Sequence, residues 1–230
     1  MLEEPRNKRA LIAGATGLVG GHVLTRLLAH PSYSRVEVLV RRELPIRDPK
    51  LIQRIVDFEH LDAGLAADDV FCCLGTTIAK AGSQEAFRRV DHDYPLALAR
   101  AGMAAGARQF LMVSSLGADA RSSVFYLRVK GETERDIAAT GLPKVVFMRP
   151  SFLFGERLEL RTGERAAAFI GRMIAPLLVG PLRKYGPIHA DDVAAAMLYA
   201  ANHDVRPGPI ESDEIAGLAR QENAANKKAG

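Results

Sequence analysis

Tyr126 and Lys130 stand four residues apart in SSVFYLRVKGE, and the pair Ser114-Ser115 closes the apolar run QFLMVSS upstream. On a helix, residues at that spacing share a face, so the phenol and the ammonium would lie side by side. A tyrosine hydroxyl can give a proton to a substrate oxygen or take one from it. A neighbouring cation favours the phenolate, which is otherwise scarce at neutral pH. A serine hydroxyl can hold a substrate carbonyl. Together these groups suit the proton transfer that accompanies hydride exchange at a nicotinamide ring. The same lysine could also hydrogen-bond the nicotinamide ribose. Y-x-x-x-K recurs by chance, and taken alone it reads more simply as a packed tyrosine and a solvated lysine. What lies around it decides.

The strongest neighbour is Gly14-Ala15-Thr16-Gly17-Leu18-Val19-Gly20, a G-x-x-G-x-x-G run between an expected strand and an expected helix. Gly14 permits the tight turn out of the strand. Gly17 lets backbone approach a pyrophosphate, and Gly20 lets the helix pack on the sheet. The helix start then turns its free N–H groups and positive dipole end toward the anion. Gly14, Thr16, Gly17, Leu18, Val19 and Gly20 are the candidate diphosphate contacts. The second strand ends in Val40-Arg41-Arg42. A carboxylate there would bind the 2′-hydroxyl of NAD, whereas arginines pair with the 2′-phosphate of NADP. Arg41 and Arg42 therefore tilt the expected cofactor to NADP over NAD. Asp57, at the expected tip of the third strand, and Phe58 beside it could border the adenine.

The elements that must position these groups alternate. Strands are expected over Arg9–Ala13, Arg35–Val40, Gln53–Asp57, Val70–Leu74, Gln109–Ser114 and Lys144–Met148. Helices are expected over Leu18–Ala29, Ser83–Ala105 with a break near Tyr94-Pro95, Phe125–Ala139 and Asp191–Asn202. Such alternation implies an α/β fold, a Rossmann-type doubly wound parallel sheet with helices on both faces. Parallel strands bring their C-terminal ends to one crevice, where the glycine loop, the serines and Tyr126 would converge. Past Pro150 the pattern loosens. Arg157–Arg165 reads as a charged loop or lid, Ala166–Ala175 as a helix closed by Pro176, and the tail RQENAANKKAG as frayed. The chain reads as one domain over 1–230, with the part after about 150 covering the substrate.

The 230 residues are 48% hydrophobic and 25% charged, with a net charge of +4. That allows a large core and suits an anionic nucleotide, while scattered basic residues give no sign of nucleic-acid binding. No apolar run is long enough to span a membrane. The only cysteines, Cys72 and Cys73, are adjacent and would point to opposite sheet faces, so they read as reduced thiols of a cytoplasmic protein. No Cys/His cluster suggests a metal. His189 reads as a structural residue ahead of a helix, His92 as part of a polar helix edge, and Asp91 and Asp93 as caps or braces of the following helix.

The stretches GATGLVGG, VLVRRE, IVDFEHLD, VFCCLGTTIAKAGS, FRRVDHDY, FLMVSSLGAD, SSVFYLRVKGETE, VVFMRPSFLFG and PIHADDVA resemble the short-chain dehydrogenase/reductase superfamily. The likeness is to its atypical branch around the NmrA-like proteins and the Tat-interactive oxidoreductases. The resemblance implies an NADP-dependent oxidoreductase acting on a carbonyl or alcohol of a small molecule. Tyr126 would be its acid/base, Lys130 its partner, and Ser114 or Ser115 its carbonyl-binding hydroxyl. It also implies that Leu74, Gly75 and Thr76 border the cofactor ribose, and that Pro150, Ser151 and Phe152 lie by the nicotinamide. Two alternatives stay open. One is an NADP-sensing regulatory protein, which binds a protein partner without turnover. The other is an epimerase or isomerase that uses NAD transiently. The chain could act as a monomer or a homodimer.

Overall fold

The computed structural model describes residues 7–61, 65–154 and 185–229. The expected loop at Arg157–Arg165 and helix at Ala166–Ala175 lie outside these residues.

Seven parallel strands form the main sheet, in the order β3-β2-β1-β4-β5-β6-β9. They are β1 (Lys8–Ala13), β2 (Tyr33–Val40), β3 (Leu51–Ile55), β4 (Asp69–Cys72), β5 (Gln109–Val113), β6 (Lys144–Arg149) and β9 (Gly208–Glu211). A second, two-stranded parallel pair joins β7 (Leu153–Phe154) to β8 (Ile188–His189). The order reverses between β1 and β4, which makes the crevice beyond their C-terminal ends the ligand site expected of an open parallel sheet. Central strands are apolar on both faces because both are covered: Ile12, Val70, Phe71 and Phe110 are all fully buried.

On one face pack α1 (Leu18–Ala29), α6 (Ala190–Asn202) and α7 (Ser212–Ala229), which contribute Val23, Leu24, Leu27, Val193, Met197 and Ile215 to one core. On the other lie α4 (Tyr94–Ala104) and α5 (Phe125–Ala138), with Leu98, Ala99 and Ile137 in a second core. Cys72 belongs to the second core and Cys73 flanks the first, so the neighbouring thiols do face opposite sides and both are free.

Three expectations need correcting. The helix expected over Ser83–Ala105 runs from Gln84 to Ala104 as α3 (Gln84–Arg88), a π-helical turn at Arg89–Asp93 and α4, and a separate short helix, α2 (Ile78–Ala81), precedes it unexpected. The break expected near Tyr94-Pro95 is instead the π-helical turn just before it: Pro95 has no N–H for the Asp91 carbonyl, which accepts from the Thr133 hydroxyl. The third strand ends at Ile55, leaving Asp57 in the loop beyond it. The tail is helical to Ala229: Asp213 and Glu214 occupy the first turn of α7, and Ile215, Ala219 and Glu222 are buried along it. Polar composition suggested fraying, but a narrow apolar stripe against a neighbouring helix is enough to hold it. Residues 190–229 thus return to the sheet.

Candidate active site

The glycine loop leaves β1 with Gly14 at φ +86°, a conformation open to glycine. A Cβ there would also meet the Cys73 carbonyl oxygen at 2.4 Å, and one on Gly20 would meet the Gly14 carbonyl oxygen at 2.1 Å. Gly17 N–H donates to Gly14 O at 2.9 Å, closing the turn, and Gly17 is the N-cap of α1. No side chain caps this helix and no acid lies in its first turn. The leading amides at Leu18, Val19 and Gly20 therefore have no side-chain acceptor, and Thr16 and Gly17 beside them are exposed. This cradle fits a diphosphate. Arg41 and Arg42 follow β2, are exposed, and make no hydrogen bond or ion pair among the described residues. Asp57 is exposed in the next loop. The Glu59 N–H and the His60 ring hold its carboxyl below the usual range. Phe58 is buried and stacks on Tyr94 at 5.7 Å, so its ring is engaged in the second core.

Tyr126 and Lys130 lie on α5, in its first and second turns. Gly131 lets that helix close on the loop before it, since a Cβ would meet the Ala120 nitrogen at 2.1 Å. Tyr126 is half-buried, its ring 5.6 Å from that of Phe87. The Lys130 ammonium is buried and lies 2.8 Å from Asp91 Oδ1. Burial opposes its charge, but Asp91 and then Tyr126 outweigh that and hold it above the ordinary lysine value. Burial pushes the Cys72 thiol up to about 12, so it stays neutral nearby. Thr76 N–H donates to Asp91 Oδ2 at 2.8 Å, and a Cβ on Gly75 would lie 3.9 Å from Lys130 Nζ. Leu74, Gly75 and Thr76 therefore run past the lysine.

The two serines differ. Ser114 is buried and donates to Glu134 Oε1, whose carboxylate also pairs with Arg149. Ser115 is half-buried and makes only a 3.3 Å contact to the Leu116 carbonyl, leaving its hydroxyl the freer. Pro150 O accepts from Leu116 N–H at 2.9 Å, which ties β6's exit to the serine turn. Ser151 bonds Gly186 O and Ser212, while Phe152 is exposed.

Asp91 does not cap α4, and neither does Asp93, which makes no capping bond there. The extra residue in the π-helical turn lets consecutive Asp91 and His92 both face α5. His92 is buried between Asp93 and Asp136, at 2.7 and 2.9 Å, so it is an inter-helix brace and not an exposed edge. His189 is the N-cap of α6, accepting from Asp191 N–H. The residues missed in the sequence are Gly131, Glu134 and Arg149. Gly131, directly after Lys130 inside a helix, was the one available signal, because a mid-helix glycine asks for a packing reason.

A family model described as "NAD dependent epimerase/dehydratase family" matches residues 10–211. "Protein FMP52, mitochondrial" from Eremothecium gossypii is 34% identical over 224 residues, covering 93% of this chain and 98% of that protein. "Protein HTATIP2" from Rattus norvegicus is 39% identical over 176 residues, covering 73% of this chain and 72% of that one. Among solved structures, MoeE5 in complex with UDP-glucuronic acid and NAD superposes with a TM-score of 0.65 at 20% identity, covering 94% and 82% of the two chains. A UDP-glucose 4-epimerase from Thermotoga maritima gives 0.63 at 17% identity, covering 93% and 82%. The cytoplasmic expectation is overturned by the relatives named mitochondrial, from Eremothecium gossypii, Saccharomyces cerevisiae and Emericella nidulans. Reduced thiols mark a reducing environment and do not identify the compartment. With the match running through nearly the whole described sheet, the chain belongs to the NAD-dependent epimerase/dehydratase family of extended short-chain dehydrogenase/reductases.

Proposed function

We propose that this protein is an NADP-dependent oxidoreductase acting on a carbonyl or alcohol group of a small molecule. The observation that supports the reading is Lys130, buried one turn after Tyr126 on α5 with Gly75 running past its ammonium, at the C-terminal end of a sheet that also presents Ser115 after β5 and the uncapped glycine cradle at its reversal point. When bound, the nicotinamide supplies or accepts the hydride. Gly14, Thr16, Gly17, Leu18, Val19 and Gly20 would hold the diphosphate, with Arg41 and Arg42 on the 2′-phosphate. Leu74, Gly75, Thr76 and Lys130 would border the ribose, and Pro150, Ser151 and Phe152 the ring. Asp57 would reach the adenine edge.

Ser115 holds the substrate oxygen. Tyr126 gives that oxygen its proton in reduction and takes it in oxidation. Ser114 acts through Glu134 and Arg149 to fix the turn that presents Ser115. A mitochondrial setting for this work is supported by relatives that carry mitochondrial in their names.

The test is cofactor oxidation against a panel of carbonyl compounds. Tyr126→Phe lowers the rate by about 100-fold or more and leaves NADP affinity intact. Arg41→Ala with Arg42→Ala weakens NADP binding by about 1–3 kcal/mol and changes NAD little. Equal turnover by Tyr126→Phe rejects the assigned role. Equal NADP and NAD binding by the wild type rejects the NADP preference.

A second reading has support in the family model and in neighbours solved with NAD and nucleotide sugars: an epimerase that keeps its cofactor between half-reactions. It predicts stoichiometric NAD in the purified protein and no net cofactor oxidation. A cofactor-sensing module would bind NADP, turn nothing over, and change its affinity for a protein partner.

A further inference from the structure

We infer that Asp91 is a positioning residue for Lys130, which it holds in place as a buried ion pair so that Tyr126 works beside an ammonium and not beside a neutral amine. This rests on the reading of Tyr126 and Lys130 given above. Both side chains are almost sealed from water, at 5% and 1% exposure, and the contact is 2.8 Å. The Lys130 ammonium is the one close partner of Asp91 Oδ1 among the described residues, while Oδ2 accepts the Thr76 N–H. The backbone that carries the carboxylate is fixed as well: the Thr133 hydroxyl, from the turn of α5 after Lys130, donates to the Asp91 main-chain carbonyl at 2.9 Å. The π-helical turn aims Asp91 inward, and Gly75 leaves open the side where a Cβ would stand 3.5 Å from its Oδ1.

The physical need is plain. A buried ammonium without a partner tends to lose its proton, because the charged form is the one burial penalises. The groups facing Lys130 are Asp91 from the π-helical turn, Tyr126 from its own helix and Cys72 from β4. Cys72 is neutral, and Glu134 further along α5 is engaged with Arg149 and Ser114. Asp91 is therefore the group that keeps the ammonium charged. An ammonium carries three donors, so the pairing still leaves Lys130 capacity for ribose hydroxyls.

The experiment is an NMR pH titration of the full chain carrying lysine labelled with carbon-13 at Cε, with the Lys130 signal assigned through Lys130→Arg. In the wild type, Lys130 stays protonated through the ordinary lysine range. Asp91→Asn keeps the side-chain shape and an oxygen for the Thr76 N–H but removes the charge. There Lys130 titrates lower by about two pH units or more, as burial acts unopposed. A variant signal within about half a unit of the wild type overturns the inference. So does a wild-type Lys130 that titrates at or below the ordinary lysine value, a result that needs no variant to fold. Neither measurement uses nucleotide or substrate, so a failure here is separate from a failure of the proposed activity.

Discussion

Two buried aspartates lie toward opposite ends of the same sheet, and their surroundings differ. Asp69, at the start of β4, receives Lys8 Nζ at 2.8 Å, Tyr33 OH at 2.6 Å and Gln109 Nε2 at 2.7 Å. Lys8 and Gln109 then both donate to the Ala201 carbonyl, and Lys8 reaches Asn202. The network is closed: β1, β2, β4, β5 and the end of α6 satisfy one another. Asp91 has a single backbone donor and one ammonium, beside an uncapped glycine loop. The same residue type thus ties elements together at one end and leaves donor capacity for a ligand at the other. A parallel sheet makes this division natural, because its crevice opens only beyond the C-terminal strand ends.

The largest effect that tests the contrast is expected at the closed end. Asp69→Ala leaves the partly buried Lys8 without its counter-charge and Tyr33 and Gln109 without their buried acceptor, and should cost about 3–5 kcal/mol of stability, as breaking a buried pair from one side does. Urea unfolding reads this directly. Nucleotide affinity in the protein that remains folded should be unchanged, since Asp69 is at the far end from the glycine loop. A variant that keeps its stability but binds nucleotide poorly would break the contrast.

The contrast also shows what a sequence can and cannot disclose. The strand and helix positions were legible because apolar runs bounded by glycine and polar turns have one economical arrangement, an alternating parallel sheet; α1 spans Leu18–Ala29 as its periodicity implies. The glycine loop and the Tyr126–Lys130 spacing were legible because both are local. Asp91 was visible only as a charge in RVDHDY, and a helix cap was the simplest role for it. Its true partner lies on another helix, and the π-helical turn that aims it inward has no pattern in the residues. Glu134 and Arg149 were hidden for the same reason: each reads as a surface charge until the packing of α5 against β6 brings them together. The last helix was missed because its stripe of Ile215, Ala219 and Glu222 is too thin to stand out from polar neighbours.

The smallest effect also belongs to the closed end, and it sharpens the comparison through pH. His30 lies just after α1. Burial, with added repulsion from Lys8, Lys50 and His203, pushes its imidazole from 6.5 down to about 4. The unfolded chain therefore takes up the proton first as the solution is acidified. The stability tied to neutral His30 is present above pH 6.5 and is lost as pH falls through about 4. The upper bound from such a shift is about 3 kcal/mol. Glu222, 3.6 Å from the ring, works the other way, because burial raises its carboxyl and its contribution is lost as pH rises through that raised value. The net acid slope owed to His30 should then be about 1–2 kcal/mol. Unfolding measured between neutral pH and pH 4 in the wild type and in His30→Asn separates the two groups: the variant loses the histidine part of the slope and keeps the opposing glutamate part. Lys130 is held above the ordinary lysine value and titrates outside this window, so the crevice end contributes nothing to the difference through it. Identical acid slopes for wild type and variant would mean that His30 takes up its proton equally well folded or unfolded, and that this end of the sheet is wetter than its closed network implies.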